Sequence, residues 1–382
     1  MVPLSYNYRN LRVRWKTTLM TASGFTLVTA ALVVMLAFIN GIESACATTG
    51  EPENVLVLSK GNNDEVLSQM ERGLVAQVEN SKGVARDAAG QPIASRELFM
   101  VVHHRQEANG AFRFLQVRGV RPVAFQVHAQ VHVREGRAFR PGQSEVIIGK
   151  GVQREEHLQI GDLIELGRKR WKITGIFASG GAAFESELWC DLNELASQFR
   201  REGFYSSVIL RAPTPEGAEE LAQRLRNSRN ISVEAMTEPK YYQKQSQQTK
   251  IMQTAAWVIA WFMGVGAMFG VMNTMFAAIG QRTKDIAVLR ILGFEARDIL
   301  WSFLTESVLI AVLGGLLGVV VGMATNGLTR SVSLGARQID FALRVDGAIL
   351  IFAGFFTVLM GVLGGLLPAL SAMRIKPLEA LH

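Results

Sequence analysis

Ile251-Met-Gln-Thr-Ala-Ala-Trp-Val-Ile-Ala-Trp-Phe-Met-Gly-Val-Gly-Ala-Met-Phe-Gly-Val-Met-Asn-Thr-Met-Phe-Ala-Ala-Ile279 contains no Asp, Glu, Lys or Arg, and a helix of that length crosses a hydrocarbon core of about 30 Å. Three further stretches behave alike. Thr17 to Ile42 and Gly347 to Ala372 are equally free of charge, and Ile299 to Met323 is interrupted only by Glu306. All four read as membrane-spanning helices. Hydrophobic residues make up 49% of the 382 positions, an ordinary fraction for a globular protein, but here they are gathered into blocks. The expected fold class is a membrane α-helical protein with four transmembrane helices and an α+β extracytoplasmic domain inserted between the first and second.

Ala45-Cys46-Ala47 resembles a signal-peptide cleavage site. The apolar run before it, Leu19 to Ile39, exceeds the usual h-region of about 7–15 residues, so an uncleaved anchor is expected. Arg9, Arg12, Arg14 and Lys16 precede that anchor and hold the N-terminus in the cytoplasm by the positive-inside rule. The crossings then alternate. Residues 1–18 form a cytoplasmic amphipathic helix, 19–42 the first span, 43–250 the extracytoplasmic domain, and 251–279 the second span. A cytoplasmic segment at 280–298 leads to the third span at 299–323, a short outer loop at 324–346, the fourth span at 347–372 and a cytoplasmic tail at 373–382. Arg282, Lys284, Arg290 and Arg297 agree with this orientation, while Arg330, Arg337 and Arg344 in the outer loop run against it beside Asp340 and Asp346.

Lys and Arg number 40 against 33 Asp and Glu. Much of the excess flanks apolar runs instead of interleaving with aromatics, which points to membrane lipids and away from nucleic acid. Cys46 and Cys190 have no Cys-x-x-Cys spacing, so neither a zinc site nor a disulfide framework is implied, and both read as small hydrophobes.

Within 43–250, Asn54 to Leu58, Phe112 to Val117, Glu145 to Ile148 and Trp171 to Phe177 alternate as strands do. Leu163 to Leu166, Gly167-Arg-Lys-Arg170 and the Trp171 run read as a hairpin with a basic tip, a solvated turn before an anionic binding patch. Residues 206–237 give strand, helix, strand, with the helix at Glu216 to Asn227. A similar pattern near 54–118 suggests that the chain leaves one subdomain, builds a β-rich insertion around 119–205, and returns.

Gly142 to Lys150 superficially resembles a phosphate-binding loop, but six residues separate Gly142 from Gly149 and Gly151 follows Lys150. The motif needs four residues there and Ser or Thr after the Lys, so ATP is not expected to bind this chain. His103, His104, His128 and His132 invite a metal reading. On one strand, however, His128 and His132 would lie about 13 Å apart, too far for one ion to bridge, and surface or hydrogen-bonded histidines are the preferred reading. No catalytic residue, metal ligand or cofactor site emerges.

Gly314, Gly318 and Gly322, with Gly266 and Gly270 and with Gly361 and Gly365, recur at four-residue spacing. Such faces bring helix backbones together within a subunit or across a dimer. Glu306 must meet protein, water or a headgroup, since an unpaired carboxylate in lipid costs several kcal/mol. About two turns into a helix starting near Ile299, it is expected to pair with a donor on another helix near the cytoplasmic side. Arg282-Thr-Lys-Asp-Ile-Ala-Val-Leu-Arg-Ile-Leu-Gly293 reads as a short helix closed by glycine, either lying on the membrane or docked into a cytoplasmic partner.

These stretches together resemble the FtsX/MacB/LolC superfamily of permeases, the type VII ABC transporters. Asn273-Thr-Met275, Arg282 to Gly293, Thr305-Glu306 and the Gly314, Gly318, Gly322 series are similar to the family's most recognisable stretch. Leu367-Pro-Ala-Leu-Ser-Ala372 with Pro377-Leu-Glu-Ala-Leu381 resembles its ending, and Arg9-Asn-Leu11 through Trp15-Lys-Thr-Thr-Leu19 its opening helix. Asp285 stands where Glu is commoner, and Ile291 and Phe294 replace smaller residues.

The resemblance implies a homodimer or a pair of related permeases, each docking a separate ABC ATPase through Arg282, Lys284, Asp285, Ile286, Leu289, Arg290 and Gly293. ATP and Mg would belong to that ATPase and not to this non-catalytic chain, and a periplasmic adaptor is a further partner the family admits. It also implies mechanotransmission at the cell inner (plasma) membrane, in which ATP-driven motion of the helices reshapes the extracytoplasmic domain for export or for handling lipoprotein and envelope substrates. The competing expectation is a receptor or scaffold whose extracytoplasmic domain binds a ligand with no ATPase coupling.

Overall fold

The computed structural model describes residues 13, 15–105, 112–246, 249–334 and 337–374. Most of the opening helix expected at 1–18 and of the tail at 373–382 lies outside the described residues.

The described chain begins with α1 (Trp15–Ala47), β1 (Asn54–Ser59), β2 (Met70–Glu71), α2 (Arg72–Glu79), β3 (Ala94–Arg105) and β4 (Phe112–Val120). Next come α3 (Ala124–Val127), β5 (His132–Gly136), β6 (Glu145–Gly149), α4 (Lys150–Glu156), β7 (Leu163–Leu166), β8 (Lys169–Ala178), a 3-10 turn at Ala183–Ser186 and β9 (Glu187–Asp191). After α5 (Leu192–Gln198) run β10 (Phe204–Tyr205), β11 (Ser207–Arg211), α6 (Pro215–Arg226), β12 (Val233–Thr237) and α7 (Glu238–Ser246). The remainder is α8 (Thr249–Gln281), α9 (Thr283–Ile291), α10 (Ala296–Met323), β13 (Thr329–Leu334), β14 (Arg337–Ala342) and α11 (Gly347–Met373).

Two compact units result. One holds the helices α1, α8, α10 and α11, each long and apolar enough to cross a membrane. Hydroxyls tie these helices together: Thr21 donates to Thr274 at 3.2 Å, Thr26 to the Gly314 carbonyl at 3.1 Å, and Ser307 to the Gly361 carbonyl at 2.6 Å. Because Thr357 donates to the Ala353 carbonyl, Thr29 must be the donor in the 2.7 Å Thr29–Thr357 bond. Glycine sets how closely the helices meet. A Cβ on Gly314 would lie 2.5 Å from the Ala22 carbonyl oxygen, on Gly318 2.6 Å from the Thr29 Cβ, and on Gly322 2.6 Å from Val33, so α1 packs on this stripe of α10. Gly361 and Gly365 on α11 receive Ala311 and Ser307 in the same way.

The other unit comprises residues 42–249 with the β13–β14 hairpin, 329–342. The outer segment expected to be a short loop thus contributes an antiparallel pair, and β14 lies against β4 and the 3-10 turn. Among the described residues, ten strands form one sheet in the order β12-β1-β11-β3-β4-β9-β6-β8-β5, with β7 also on β8. Antiparallel pairing changes to parallel where β9 joins β4, so strands from 119–205 extend the sheet that β1, β3 and β11 begin. Apolar residues of these strands, among them Val55, Val117, Val146, Trp171, Ile173 and Leu188, form its core. Local chemistry sets the boundaries of the helices that cover it. Thr214 caps α6 by accepting from the Gly217 amide, with Pro215 in the first turn, and Asp191 caps α5 by accepting from the Asn193 and Glu194 amides.

Candidate functional site: the segment between the second and third long helices

Arg282 ends the descent of α8 and precedes α9, and its guanidinium grips Glu306 of α10 with a pair of hydrogen bonds at 2.9 and 3.2 Å. Both side chains are buried, and Arg282 also lies 5.9 Å from the centre of the Phe303 ring. Such a forked pairing satisfies both ions at once in a place where either alone would be costly. The helix carrying Glu306 begins at Ala296, earlier than Ile299, because Glu295 and Asp298 form a reciprocal capping box. Glu306 therefore lies nearly three turns in, about 15 Å from the start.

Around this pair the other residues of the segment divide by face. Ile286 and Ala287 are buried, Ile286 among apolar side chains that include Ile299 and Phe303. Asp285 and Leu289 line a cleft with Ile286, Ile299, Ser302 and Phe303. Lys284 and Asp285 are exposed, and Leu289 and Arg290 are half-buried. Gly293 closes the segment with φ +94°, a conformation that a side chain would strain. On the remaining face Val288 is 47% exposed, Ile291 61% and Leu292 70%. Ile286, grouped in the sequence with the docking residues, thus anchors the segment, and Val288 and Leu292, absent from that group, are displayed by it. The small-residue faces also divide. Gly314, Gly318, Gly322, Gly361 and Gly365 are filled by neighbouring helices, whereas a Cβ on Gly266 or Gly270 would meet nothing within 4 Å.

A second constellation lies inside the inserted domain. Arg118 of β4 binds Glu187 of β9 through Nε and Nη2 at 2.6 and 2.7 Å, and its Nη1 donates to Glu97 of β3 at 2.6 Å and to Glu65 at 2.9 Å. The Phe99 and Phe184 rings flank the guanidinium at 4.8 and 5.6 Å. His128 places Nε2 2.8 Å from Glu97 and Nδ1 3.4 Å from Glu238, the first residue of α7. All six ionisable side chains are buried. Burial alone would lower the His128 pKa, but Glu97 and Glu238 outweigh it and raise it to about 10. Burial would likewise raise Glu97, yet His128 and Arg118 hold it below the usual carboxylate value.

His128 does not share a strand with His132, as the 13 Å separation would require: it caps the C-terminus of α3, and His132 opens β5. Cys46 and Cys190 are buried and not joined in a disulfide, and burial raises the Cys190 thiol pKa well above its usual value. Among the described residues no group of three His, Cys, Asp or Glu side chains is placed to hold a metal.

The architecture defines a class: a four-helix membrane unit with a large α+β domain between its first and second helices. The family descriptions match this division, with "MacB-like periplasmic core domain" covering residues 18–228 and "FtsX-like permease C-terminal" covering residues 257–377. The chain belongs to the ABC transporter permeases of the MacB/FtsX type. It is 27% identical over 94% of its length to the macrolide export ATP-binding/permease protein MacB of Bdellovibrio bacteriovorus, of which it spans 58%. It is 24% identical over 96% of its length to YknZ of Bacillus subtilis, an uncharacterized ABC transporter permease, of which it spans 94%. The crystal structure of the periplasmic region of MacB from Actinobacillus actinomycetemcomitans aligns with 50% of this chain and 92% of its own, with 8% identity and a TM-score of 0.38.

Proposed function

We propose that residues 282–293 dock a partner ABC ATPase and that ATP-driven motion of this contact is passed through the membrane helices to the inserted domain, which performs work outside the membrane. The observation carrying this reading is the two-sided character of α9. One side is fixed by the Arg282–Glu306 pair and by Ile286. The other displays Val288, Ile291 and Leu292 beside exposed Lys284 and Asp285, an apolar patch with a charged rim of the kind that partners cover. A rigid helix joined by a buried ion pair to a membrane span converts a push on its exposed side into movement of that span.

In this reading ATP and Mg belong to the ATPase, and the permease works as a homodimer or beside a related permease. The basic residues of 280–298 support a cytoplasmic position for that segment, and with it for both termini, in an inner (plasma) membrane. Export or envelope-substrate handling is the favoured class of work, in keeping with the export named for the MacB relative, and an adaptor on the outer side would fit it.

Affinity purification of the full chain from its native membranes, with Ile291→Asp/Leu292→Asp as the comparison, tests the docking contact. An ATP-hydrolysing subunit retained by the wild type and lost from the variant supports the reading. If none is retained by the wild type in mild detergent, the chain is a receptor or scaffold.

A further inference from the structure

Both stretches of chain that lead from the inserted domain toward membrane helices meet, inside that domain, on a single carboxylate. Glu238 opens α7, which precedes α8 in the chain. Its Oε2 accepts from the Glu51 amide at 3.0 Å and from Asn54 Nδ2 at 2.8 Å, just beyond the end of α1. One oxygen therefore clasps the outgoing and returning legs together. The other, Oε1, faces His128 Nδ1 at 3.4 Å as an ion-pair contact, and neither atom makes a hydrogen bond. From the opposite ring nitrogen the path continues to Glu97 and on to Arg118, Glu187 and Glu65.

This path takes a different route from the backbone. β12 and β1, which adjoin the two legs, lie at one edge of the sheet, and the ladder reaches β3, β4 and β9 only through β11. The side-chain path passes from Glu238 to β3 through one imidazole. That imidazole faces a carboxylate on each nitrogen, and only the doubly protonated ring can donate to both. Every member is buried, so parting any contact strands an ion without water, and the path resists slippage where apolar contacts would slide. Thr49 adds a parallel tie, since its hydroxyl accepts from the Ala183 amide beside Phe184, whose ring stacks edgewise on His128.

We propose that Glu238, His128 and Glu97 form a positioning brace that fixes both membrane legs to the central strands, so that displacement of a leg reaches β3, β4 and β9 instead of being absorbed at the sheet edge. The inference rests on the transport reading for the source of the displacement. The brace itself is a property of the folded domain.

Amide hydrogen exchange of the full chain in lipid nanodiscs tests it, comparing wild type, His128→Gln, Glu238→Gln and, as a control, Arg137→Gln, which removes a partly exposed pair with Glu145. The two brace variants are expected to raise exchange at 51–59 and 238–246 by about tenfold or more while β4 and β9 stay protected, and the control is expected to leave both unchanged. Uniform loosening of every strand, or legs that exchange at the wild-type rate, overturns the brace. Should Glu238→Gln fail to fold, Glu238→Asp keeps the charge and is expected to give an intermediate leg exchange; wild-type exchange there overturns the proposal equally. Where an ATPase copurifies, the brace variants should keep nucleotide hydrolysis and lose any nucleotide-induced change in β4 and β9 exchange. Absence of an ATPase defeats the transport reading, and the exchange at the legs still decides the brace.

Discussion

The membrane unit and the inserted domain bury charge in opposite measure. Among the described residues the helices hold one buried ion pair, Arg282 with Glu306, and otherwise join through apolar packing, hydroxyls and glycine faces. The inserted domain gathers Glu65, Glu97, Glu187, Glu238, Arg118 and His128 into one network. Hydrocarbon supplies no water to relax an ion, so charge in a span is confined to a contact that cancels it locally. A sheet folded in water can draw donors and acceptors from several strands to one point, and so can surround a buried arginine. The membrane unit therefore concentrates its electrostatic coupling in one contact, and the domain distributes it.

Removing the hub of the distributed network is expected to have the largest effect. Arg118→Met leaves Glu65 and Glu187 without their shared cation, and the loss should exceed the about 3–5 kcal/mol typical of breaking one buried pair. Thermal unfolding of the full chain, followed by protease resistance of residues 43–250, should show the domain opening while the helices remain inserted. A variant that melts with the wild type would break the contrast between the two regions.

The single contact in the membrane unit comes next. Glu306→Ala strands Arg282 and is expected to cost toward the lower end of about 3–5 kcal/mol, with less lost in Glu306→Gln, where an acceptor remains. Exchanging the charges, Arg282→Glu with Glu306→Arg, should recover part of the loss in melting temperature. Recovery of stability without recovery of a bound ATPase would separate anchoring from docking.

These two regions were also unequally legible. Spans are readable because few folded elements besides a membrane helix carry so long a stretch without charge, and β1, β4, β6 and β8 because short runs rich in β-branched and other apolar residues, such as Asn54 to Leu58, mark buried strands. The segment 282–293 stands out as a charged helix between two apolar ones, but the face it buries does not. Ile286, Val288, Leu289, Ile291 and Leu292 surround the helix almost completely, and only the position of α10 selects Ile286 for the interior. The charge network left a weaker signal: Arg118 stands between Val117 and Gly119-Val120, but Glu97 and Glu187 merely precede their apolar runs, after Ser95-Arg96 and Glu185-Ser186. Their convergence depends on the pairing of β3, β4 and β9, which is set by contacts far apart in the chain.

The network should also give the inserted domain a dependence on pH. The His128 pKa is raised from its ordinary 6.5 to about 10 by Glu97 and Glu238 against the opposing effect of burial. Its contribution is therefore complete below about pH 6.5, where the ring is protonated folded or unfolded, and fades as pH rises toward about 10. Glu97, held below 4.5, contributes above that value and loses its contribution as pH falls. Measured against His128→Gln, the wild-type domain should hold its greatest advantage between about pH 4.5 and 6.5 and lose it steadily as pH rises toward about 10. A difference that does not vary with pH would remove the imidazolium from the account.

The smallest effect separates two glycine faces within the membrane unit itself. Gly314→Val forces a Cβ against the Ala22 backbone, where neither helix can yield without the other moving, and overpacking of that kind costs about 1–3 kcal/mol. Gly266→Val enters open space, so in a solitary chain its effect should stay within about 0.5 kcal/mol. Melting temperatures of both variants at low protein-to-detergent ratio test this directly. Raising the concentration of the permease in the membrane then sharpens the comparison: a Gly266→Val defect that appears only under those conditions locates a helix contact between copies of the chain, and a defect present at all concentrations places an intramolecular contact on that face.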